Sequence, residues 1–440
     1  MLPGNEIDCL TTTTPARSGQ VISVPITLDL EANALSDERS QLAAKRGAGA
    51  FPVHFWPLVM VCKIFRGMWV HMFARLGLIL LPAVVLSGCV SAPARTPPQA
   101  QTKPRVIVTQ PASPPVQRPA PRPAEPVKVV RASLPDQLVA EIDTAWRQFP
   151  GRTGIAVQRI DGDWATGKRL GEMFPQQSVS KIWVAMTILD QVDSGKLRLD
   201  QTVRITTSDL AVFHQPIRDR VVANGAVEET ILSLMEQAIT ASDNTANDSL
   251  LRTAGGPEAV RNFIERKKLG KIRFGPGERL LQSQIAGMSW QQDYSMGRRF
   301  YTARAALPME RRKAALDAYL ADPVDGAAPD AIASALARLA RGELLSPAST
   351  RMLLAMMERT KSGPNRLKAG VPPGWRFGHK TGTGQELNPV STGYNDIGIM
   401  TAPDGTRYAV VVMIASTTSP IPDRMAMMQA VSRAVAANHR

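Results

Sequence analysis

A proline-rich segment, residues 91–131, sets the limits on what this 440-residue chain can fold into. It contains eleven prolines mixed with Ala, Gln, Val and Arg. Such a composition favours extended polyproline II backbone and cannot bury a hydrophobic core. We therefore interpret residues 90–131 as a linker and expect residues 132–440 to form the folded domain.

The linker also carries much of the formal net charge of +14. Residues 91–131 hold seven Lys and Arg against one acidic residue, Glu125. A strongly basic chain is a candidate for nucleic-acid binding, but no binding motif and no aromatic residues interleaved with a basic stripe accompany the charge. The charge therefore favours a tether beside an anionic membrane, and we expect no nucleic-acid partner.

Residues 72–89 are typical of a secretory signal. Met72 and Arg75 precede an apolar run over 76–86, and the segment ends in Leu-Ser-Gly-Cys at Cys89. A positive start, an apolar centre and small residues before a cleavage site describe a signal peptide, and the run is too short for a membrane-spanning helix. The ending resembles the lipobox of bacterial lipoproteins, whose cysteine is acylated. The alternative is a buried apolar segment that ends in a cysteine by chance.

Acylation at Cys89 would place the domain, as a monomer, on the periplasmic side of the bacterial envelope. Val90 after the cysteine is compatible, by the same resemblance, with the outer membrane. Residues 1–71 fit this prediction poorly because signals begin chains. They are either the result of a misassigned start, with Met68 or Met72 as the natural one, or a long n-region of the signal.

The three cysteines, Cys9, Cys62 and Cys89, all precede the predicted domain. A disulfide, a cysteine nucleophile and a cysteine-ligated metal are therefore excluded there. The five histidines of the chain show neither H-x-H nor H-E-x-x-H spacing, which argues against a zinc hydrolase. We expect neither a metal nor an organic cofactor.

Hydrophobic periodicity predicts strands near both ends of the domain and helices between them. The predicted strands cover 153–158, 376–382, 396–401 and 408–416, and the predicted helices cover 179–192, 230–240, 257–267, 330–339 and 425–437. This order predicts an α/β fold of the two-region, α+β type. One antiparallel sheet, assembled from both ends of the domain and flanked by helices, would meet an all-helical region.

Three short motifs follow one another in this domain: Ser178-Val179-Ser180-Lys181, Ser242-Asp243-Asn244 and Lys380-Thr381-Gly382. Each is weak alone, since an S-x-x-K is expected about once by chance in a chain of this length. Taken separately, they also fit a helix N-cap, a polar helix cap and a strand end. Together and in this order they indicate a serine nucleophile with its supporting groups.

The first two motifs contain the groups that this chemistry needs. A serine hydroxyl is a poor nucleophile at neutral pH and requires an adjacent base. On a helix, Lys181 lies one turn from Ser178, so a partly desolvated lysine amine can take the proton. Ser178 at a helix start also points backbone N–H groups at the developing oxyanion. Ser242 would relay a proton to the leaving nitrogen.

The same motifs predict how a substrate binds. Asn244 would donate to or accept from an amide in the substrate side chain. Lys380 lies on a predicted edge strand, whose main chain can pair with that amide. Thr381 and Thr383, on either side of Gly382, can bind a carboxylate, and the Thr383 N–H can complete the oxyanion hole.

The trio resembles that of the class A β-lactamases, and the similarity extends from residue 134 to the C-terminus. It includes the run Ser242-Asp243-Asn244-Thr245-Ala246, which is followed by Gly255-Gly256-Pro257 at the spacing found in the family. The resemblance implies the two-region fold, with the cleft between the sheet and the helical region. It also implies an amide-containing substrate of the β-lactam or peptidoglycan type.

The resemblance implies three further site residues. Glu278 falls where the family has its deacylating glutamate, and Gln282 replaces the asparagine of E-x-x-L-N. This pair would hold the water that cleaves the acyl-enzyme. Arg366 lies in a stretch whose arginine pairs with the substrate carboxylate. A solvated loop glutamate is the alternative interpretation of Glu278.

The chain departs from the family pattern near that glutamate. Pro276 replaces the arginine that anchors the glutamate loop, which puts the loop geometry in doubt. An extension at residues 290–325, about thirty residues long, is expected beside the active site. Either Phe213 or His214 would supply the aromatic wall of the pocket.

Three functions fit these observations. The first is a class A β-lactamase, which frees its acyl-enzyme with water held by Glu278 and Gln282. The second is a penicillin-binding D,D-peptidase or a related cell-wall hydrolase, which shares the trio but lacks that water. The third is a non-catalytic peptidoglycan-binding sensor or scaffold. The glutamate favours the first over the second, and the complete trio argues against the third.

Overall fold

The computed structural model describes residues 133–440. The predictions for residues 1–71, for the signal at 72–89 with Cys89, and for the linker at 90–131 lie outside the described residues. Among the helices of the described part, none is long and apolar enough to cross a bilayer.

A six-stranded antiparallel sheet forms the centre of the domain. In chain order the strands are β1 (Arg152–Arg159), β2 (Ala165–Lys168), β3 (Phe174–Pro175), β4 (Thr202–Thr206), β5 (Ala226–Thr230), β6 (Gly326–Ala327), β7 (Arg376–Gly382), β8 (Glu386–Leu387), β9 (Val390–Thr401) and β10 (Arg407–Thr417). The main sheet runs β2-β1-β10-β9-β7, and β8 pairs with β9. The first strand of the domain thus pairs with the last, which confirms a sheet assembled from both ends.

Helices cover both faces of this sheet and form a separate region beside it. They are α1 (Asp136–Gln148), α2 (Lys181–Asp193), α3 (Ile217–Asn224), α4 (Ile231–Glu236), α5 (Asn244–Thr253), α6 (Pro257–Arg266), α7 (Glu278–Ile285), α8 (Arg299–Ala305), α9 (Met309–Ala321), α10 (Pro329–Ala340), α11 (Pro347–Glu358) and α12 (Ile421–Ala437). Helices α1 and α12 pack on one face of the sheet and α10 and α11 on the other. The predicted α/β, two-region architecture is confirmed.

The central strand β10 is apolar along its length because both of its faces are buried. Val411 and Met413 belong to the larger core, which the sheet shares with α2, α10 and the helical region. Val410 and Val412 point the other way, into the core under α1 and α12. The strand therefore holds the two layers together.

Two predicted helices are irregular where they reach the cleft. A 3₁₀ turn, Gln177–Ser180, precedes α2, so Ser178 lies on this tighter turn and not at the start of an α-helix as predicted. The helix predicted over 230–240 is α-helical only as far as Glu236 and continues as a π-helical turn, Gln237–Ala241. Such turns are frequent at functional sites because they redirect the backbone.

The extension at residues 290–325, hereafter the inserted segment, is helical. It contains a 3₁₀ turn followed by α8 and α9. Phe300 of α8 is buried with Val212 and Ala286, and Leu316 and Tyr319 of α9 pack on α7. The segment therefore has apolar contacts of its own with the helical region, beside Glu278.

Candidate active site

Ser178 and Lys181 form the centre of the site. Ser178 is partly exposed, whereas Lys181 is only 1% exposed at the first position of α2. The Lys181 Nζ donates to the Ser178 Oγ over 2.7 Å. A neutral amine at this distance can accept the hydroxyl proton as the oxygen attacks a carbonyl.

Lys181 also joins two other predicted site residues. Its Nζ contacts the Asn244 Oδ1 at 2.7 Å and the Glu278 Oε1 at 2.8 Å. An ammonium has three protons, so these two acceptors and Ser178 satisfy all of them. The contact with Glu278 is a buried ion pair, and it gives a proton on Lys181 a direct route to a carboxylate.

Ser242 lies where the π-helical turn ends. Its backbone is left-handed, with φ 61°, which turns the hydroxyl out of the helix path. The Lys380 Nζ donates to the Ser242 Oγ over 2.9 Å. Burial lowers the pKa of Lys380 well below its usual value, and the charge of Lys181 lowers it further. A hydroxyl held beside this amine is suited to proton relay.

Asp243, between Ser242 and Asn244, has a structural role. Its carboxylate accepts from the backbone N–H of Ala246 at 2.9 Å and of Ile217 at 2.7 Å. It thereby caps α5 and ties it to α3. Burial raises its pKa. The middle residue of this motif holds the two outer ones in place.

The side chain of Asn244 has both ends engaged. The Oδ1 accepts from Lys181, and the Nδ2 donates to the Val212 carbonyl over 2.7 Å. Phe213, next to Val212, has φ 62° and places its ring 4.8 Å from that of Phe300. The Phe213 residue is partly exposed, and the neighbouring His214 is exposed.

The end of β7 is shaped for a carboxylate. The Thr383 hydroxyl is on an exposed residue and accepts from the Arg366 Nη2 over 2.6 Å. Arg366 is 8% exposed, and its Nη1 donates to the carbonyls of Gly382 and Asn395. The guanidinium thus lies behind Thr383, where its charge supports an anion bound at that hydroxyl. The Thr381 hydroxyl pairs with Ser362 at 2.7 Å.

Gly382 is required by close packing of backbone on backbone. A Cβ at this position would lie 2.4 Å from the Gln176 carbonyl oxygen, on the segment that leads to Ser178. Any larger residue would push β7 away from the nucleophile turn. This explains the glycine of the K-T-G motif.

Glu278 enters the cleft despite the proline at position 276. It is the first residue of α7 and is 5% exposed. Its backbone N–H donates to the Asp248 Oδ1 over 3.0 Å. The Gln282 Nε2 lies 3.4 Å from the Glu278 Oε2. The carboxylate and the amide thus face the same space, as a pair that holds a water must.

Several residues of this site carry no motif. Gln177 and Gln385 contact the Gln282 side chain, at 2.9 and 3.0 Å. Asp325 accepts from the Gln177 N–H over 2.8 Å. Burial raises the pKa of Asp325 and that of Asp248 to about 6. Of these residues, only Gln177 could have been identified from the sequence, because it directly precedes Ser178.

The inserted segment joins the two walls of the cleft. Tyr301 of α8 places its ring 5.5 Å from that of Phe213, in the helical region. One turn later the Arg304 Nη2 donates to the Glu386 carbonyl in β8, over 2.7 Å. Helix α8 therefore spans from the helical region to the sheet, on the Gln282 side of the site. No group of three or more His, Cys, Asp or Glu within residues 133–440 is placed to hold a metal.

The chain is similar in sequence to known proteins. The sequence profile described as the beta-lactamase enzyme family matches residues 137–439. Beta-lactamase VEB-1 of Pseudomonas aeruginosa is 26% identical over 293 residues, which is 66% of this chain and 87% of the relative. Beta-lactamase CTX-M-97 of Escherichia coli is 28% identical over 280 residues, 64% of this chain and 80% of the relative.

Solved structures resemble the domain to a similar degree. A beta-lactamase from Chitinophaga pinensis is 25% identical with a TM-score of 0.57, covering 69% of this chain and 100% of that one. The ancestral (GNCA) class A beta-lactamase is 30% identical with a TM-score of 0.55, covering 68% of this chain and 99% of that one. The residues matched by the family profile, 137–439, include every motif described above.

Proposed function

Because the chain belongs to the β-lactamase enzyme family, we propose that it is a class A β-lactamase that opens the β-lactam amide through a serine acyl-enzyme. The observation that carries the proposal is the position of Lys181. Its amine contacts the Ser178 hydroxyl on one side and the Glu278 carboxylate on the other. Lys181 is therefore a buried base that contacts both the serine that becomes acylated and the glutamate that activates the water for deacylation.

Acylation begins when Lys181 passes one of its protons to Glu278 and the resulting neutral amine takes the proton of Ser178. The Ser178 Oγ forms a bond to the lactam carbonyl carbon, and the oxyanion is held by the backbone N–H groups of Ser178 and Thr383. The C–N bond then breaks, and the Ser242 hydroxyl gives its proton to the ring nitrogen. Lys380, beside Ser242, returns a proton to that oxygen. Lys380 then regains a proton from solvent and Glu278 releases its proton to solvent, so Glu278 is again a carboxylate.

Deacylation uses the opposite side of the cleft. Glu278 takes a proton from a water held between its carboxylate and the Gln282 amide, and the water oxygen bonds to the acyl carbon. The bond to the Ser178 Oγ breaks, and that oxygen recovers a proton from Lys181, which regains one from Glu278 and so closes the cycle. Substrate carboxylate binds at Thr383, with the Arg366 charge behind it.

The test combines two substrates and two variants. The purified protein is mixed with a chromogenic cephalosporin and a fluorescent penicillin, alongside Ser178→Ala and Glu278→Gln. Rapid turnover that is lost in Ser178→Ala, with acyl-enzyme accumulating in Glu278→Gln, supports the proposal. Stable labelling of the wild type without turnover would show a penicillin-binding peptidase instead. If the protein is not labelled and turns over neither substrate, it is a non-catalytic binder.

We also propose that the protein is a monomer anchored by acylated Cys89 on the periplasmic side of the outer membrane. The signal and the lipobox-like ending support this, and the linker would serve as the spacer. Cys89→Ser should move the protein from the membrane fraction to the soluble periplasmic fraction and abolish incorporation of labelled palmitate. Membrane association that survives the substitution would refute the anchor. Light scattering of the detergent-solubilised protein tests the monomer.

A further inference from the structure

Glu278 is well placed although its loop lacks the arginine anchor, so another contact must hold it. The inserted segment ends at Asp325, whose side chain is buried. The Asp325 Oδ2 accepts from the Gln177 N–H over 2.8 Å, and the Oδ1 accepts from the Tyr319 hydroxyl over 2.9 Å. Both acceptor atoms of this carboxylate are thus directed at groups that lead back to the cleft.

A chain of hydrogen bonds continues from Tyr319 to the catalytic glutamate. The Gln177 Nε2 donates to the Tyr319 oxygen over 2.6 Å, and the Gln177 Oε1 accepts from the Gln282 Nε2 over 2.9 Å. The same Nε2 lies 3.4 Å from the Glu278 Oε2. Every member of this chain is buried, so water does not compete for these bonds.

The direction of these bonds decides how the amides point. A phenol has one proton, and Tyr319 gives it to Asp325, so its oxygen can only accept from Gln177. Burial, followed by the charge of Asp325, raises the pKa of Tyr319 well above its usual value, so the hydroxyl stays protonated. Gln177 must then turn its carbonyl towards Gln282, which in turn presents its NH₂ group to Gln177 and Glu278.

We propose that Tyr319, supplied by the inserted segment, is a positioning residue for deacylation: through Gln177 it orients the Gln282 amide that holds the hydrolytic water beside Glu278. The inference rests on the proposed function and assigns a role to a segment outside the three motifs. Gln385 supports the orientation from the other side, since its Nε2 donates to the Gln282 Oε1. Without the phenol oxygen, the Gln177 amide would be free to rotate by half a turn. Its NH₂ group would then face the NH₂ group of Gln282.

The acylation contacts do not pass through Tyr319, Gln177 or Gln282. Lys181 reaches Ser178 directly, and Lys380 reaches Ser242 directly. The Asp325 Oδ2 keeps its bond to the Gln177 N–H in a Tyr319→Phe variant, so the nucleophile turn retains its anchor. The proposal therefore predicts a defect in one half of the reaction only.

Stopped-flow kinetics of Tyr319→Phe with a chromogenic cephalosporin tests this. Deacylation should slow by about tenfold, because a displaced water is poorly aligned for attack. Since kcat/KM reports acylation, kcat and KM should fall together while kcat/KM stays within about twofold of wild type. Mass spectrometry in the steady state should show acyl-enzyme accumulating. The matched control is Tyr294→Phe, a loss of the same hydroxyl in the 3₁₀ turn at the start of the inserted segment, which should leave all constants unchanged.

A double variant separates positioning from a general structural effect. In Glu278→Gln the water has already lost its base, so adding Tyr319→Phe should leave the lifetime of the acyl-enzyme unchanged. Further slowing in the double variant, unchanged deacylation in Tyr319→Phe, or a parallel fall of kcat/KM would each overturn the inference. In those cases wild-type turnover still supports the β-lactamase function. A wild type that acylates without turnover would instead refute both.

Discussion

The two sides of the cleft are built in different ways. On the acylation side, each lysine contacts its hydroxyl directly: Lys181 contacts Ser178, and Lys380 contacts Ser242. On the deacylation side, Gln282 is held by Gln177, which depends in turn on the inserted segment. The same catalytic centre thus combines a half contained in short motifs with a half assembled from distant parts of the chain.

This difference shows where such a domain can vary without losing its chemistry. The acylation half tolerates little change, because each motif residue is itself a reacting or relaying group. The deacylation half needs only a correctly oriented amide and carboxylate, which several frameworks can provide. In this chain the framework is a helical insertion that ends in a buried aspartate, in place of an arginine two residues before the glutamate.

The largest expected effect tests the residue that both halves share. Lys181→Ala should reduce kcat/KM by about a thousandfold, because the base for Ser178 is removed, and should also slow deacylation, since Glu278 loses its ion-pair partner. Labelling with a fluorescent penicillin followed by a chase measures the two steps separately. The control is Lys196→Ala, on an exposed residue. A defect in deacylation alone would show that Lys181 belongs to only one half.

An effect of intermediate size is expected on the free energy of unfolding, because Asp248, which accepts from the Glu278 N–H, is a buried carboxyl. Burial first, and the charge of Glu278 second, raise the pKa of Asp248 from 3.8 to about 6. A carboxyl whose pKa is raised on folding stabilises the protein in its protonated form, so this stability is lost as the pH rises from about 4 through about 6. Asp248→Asn keeps an acceptor for the Glu278 N–H without the charge.

Its free energy of unfolding at pH 7.5 should therefore exceed that of the wild type by about 1–3 kcal/mol. At pH 4 the difference should be smaller. Urea titrations at the two pH values measure both differences. An equal difference at both would show that packing, and not ionisation, distinguishes the variant.

The smallest expected effect concerns the outer surface of the inserted segment. Tyr301 packs against Phe213 where α8 joins the helical region to the sheet, and it is 41% exposed. Tyr301→Ala should raise kcat/KM about threefold for cephalosporins with bulky acyl side chains and leave small penicillins unaffected, because removal of the exposed ring leaves more room beside Phe213. Tyr301→Phe, which keeps the ring, is the control. An equal change for both substrate classes would contradict a role in side-chain selection.

Much of the fold could be predicted from the sequence. The alternating and continuous apolar runs at both ends of the domain predicted the strands, and their position predicted one antiparallel sheet. The irregular ends of α2 and α4 could not be predicted in this way. Hydrophobic periodicity does not distinguish an α-helical turn from a 3₁₀ or π turn, since all three place apolar residues on one side.

The residues proposed to react were determined by the sequence itself. Ser178 and Lys181 are three positions apart, so any helical turn brings them together, and the S-D-N and K-T-G motifs identify Ser242 and Lys380 by their chemistry. The roles of Tyr319, Gln385 and Asp325 were decided only by the tertiary structure. Tyr319 is 142 positions from Gln177, and Gln385 is 103 positions from Gln282. Contacts over such distances depend on how helices and strands pack, and a hydrogen bond between ordinary side chains leaves no pattern in the chain that forms it.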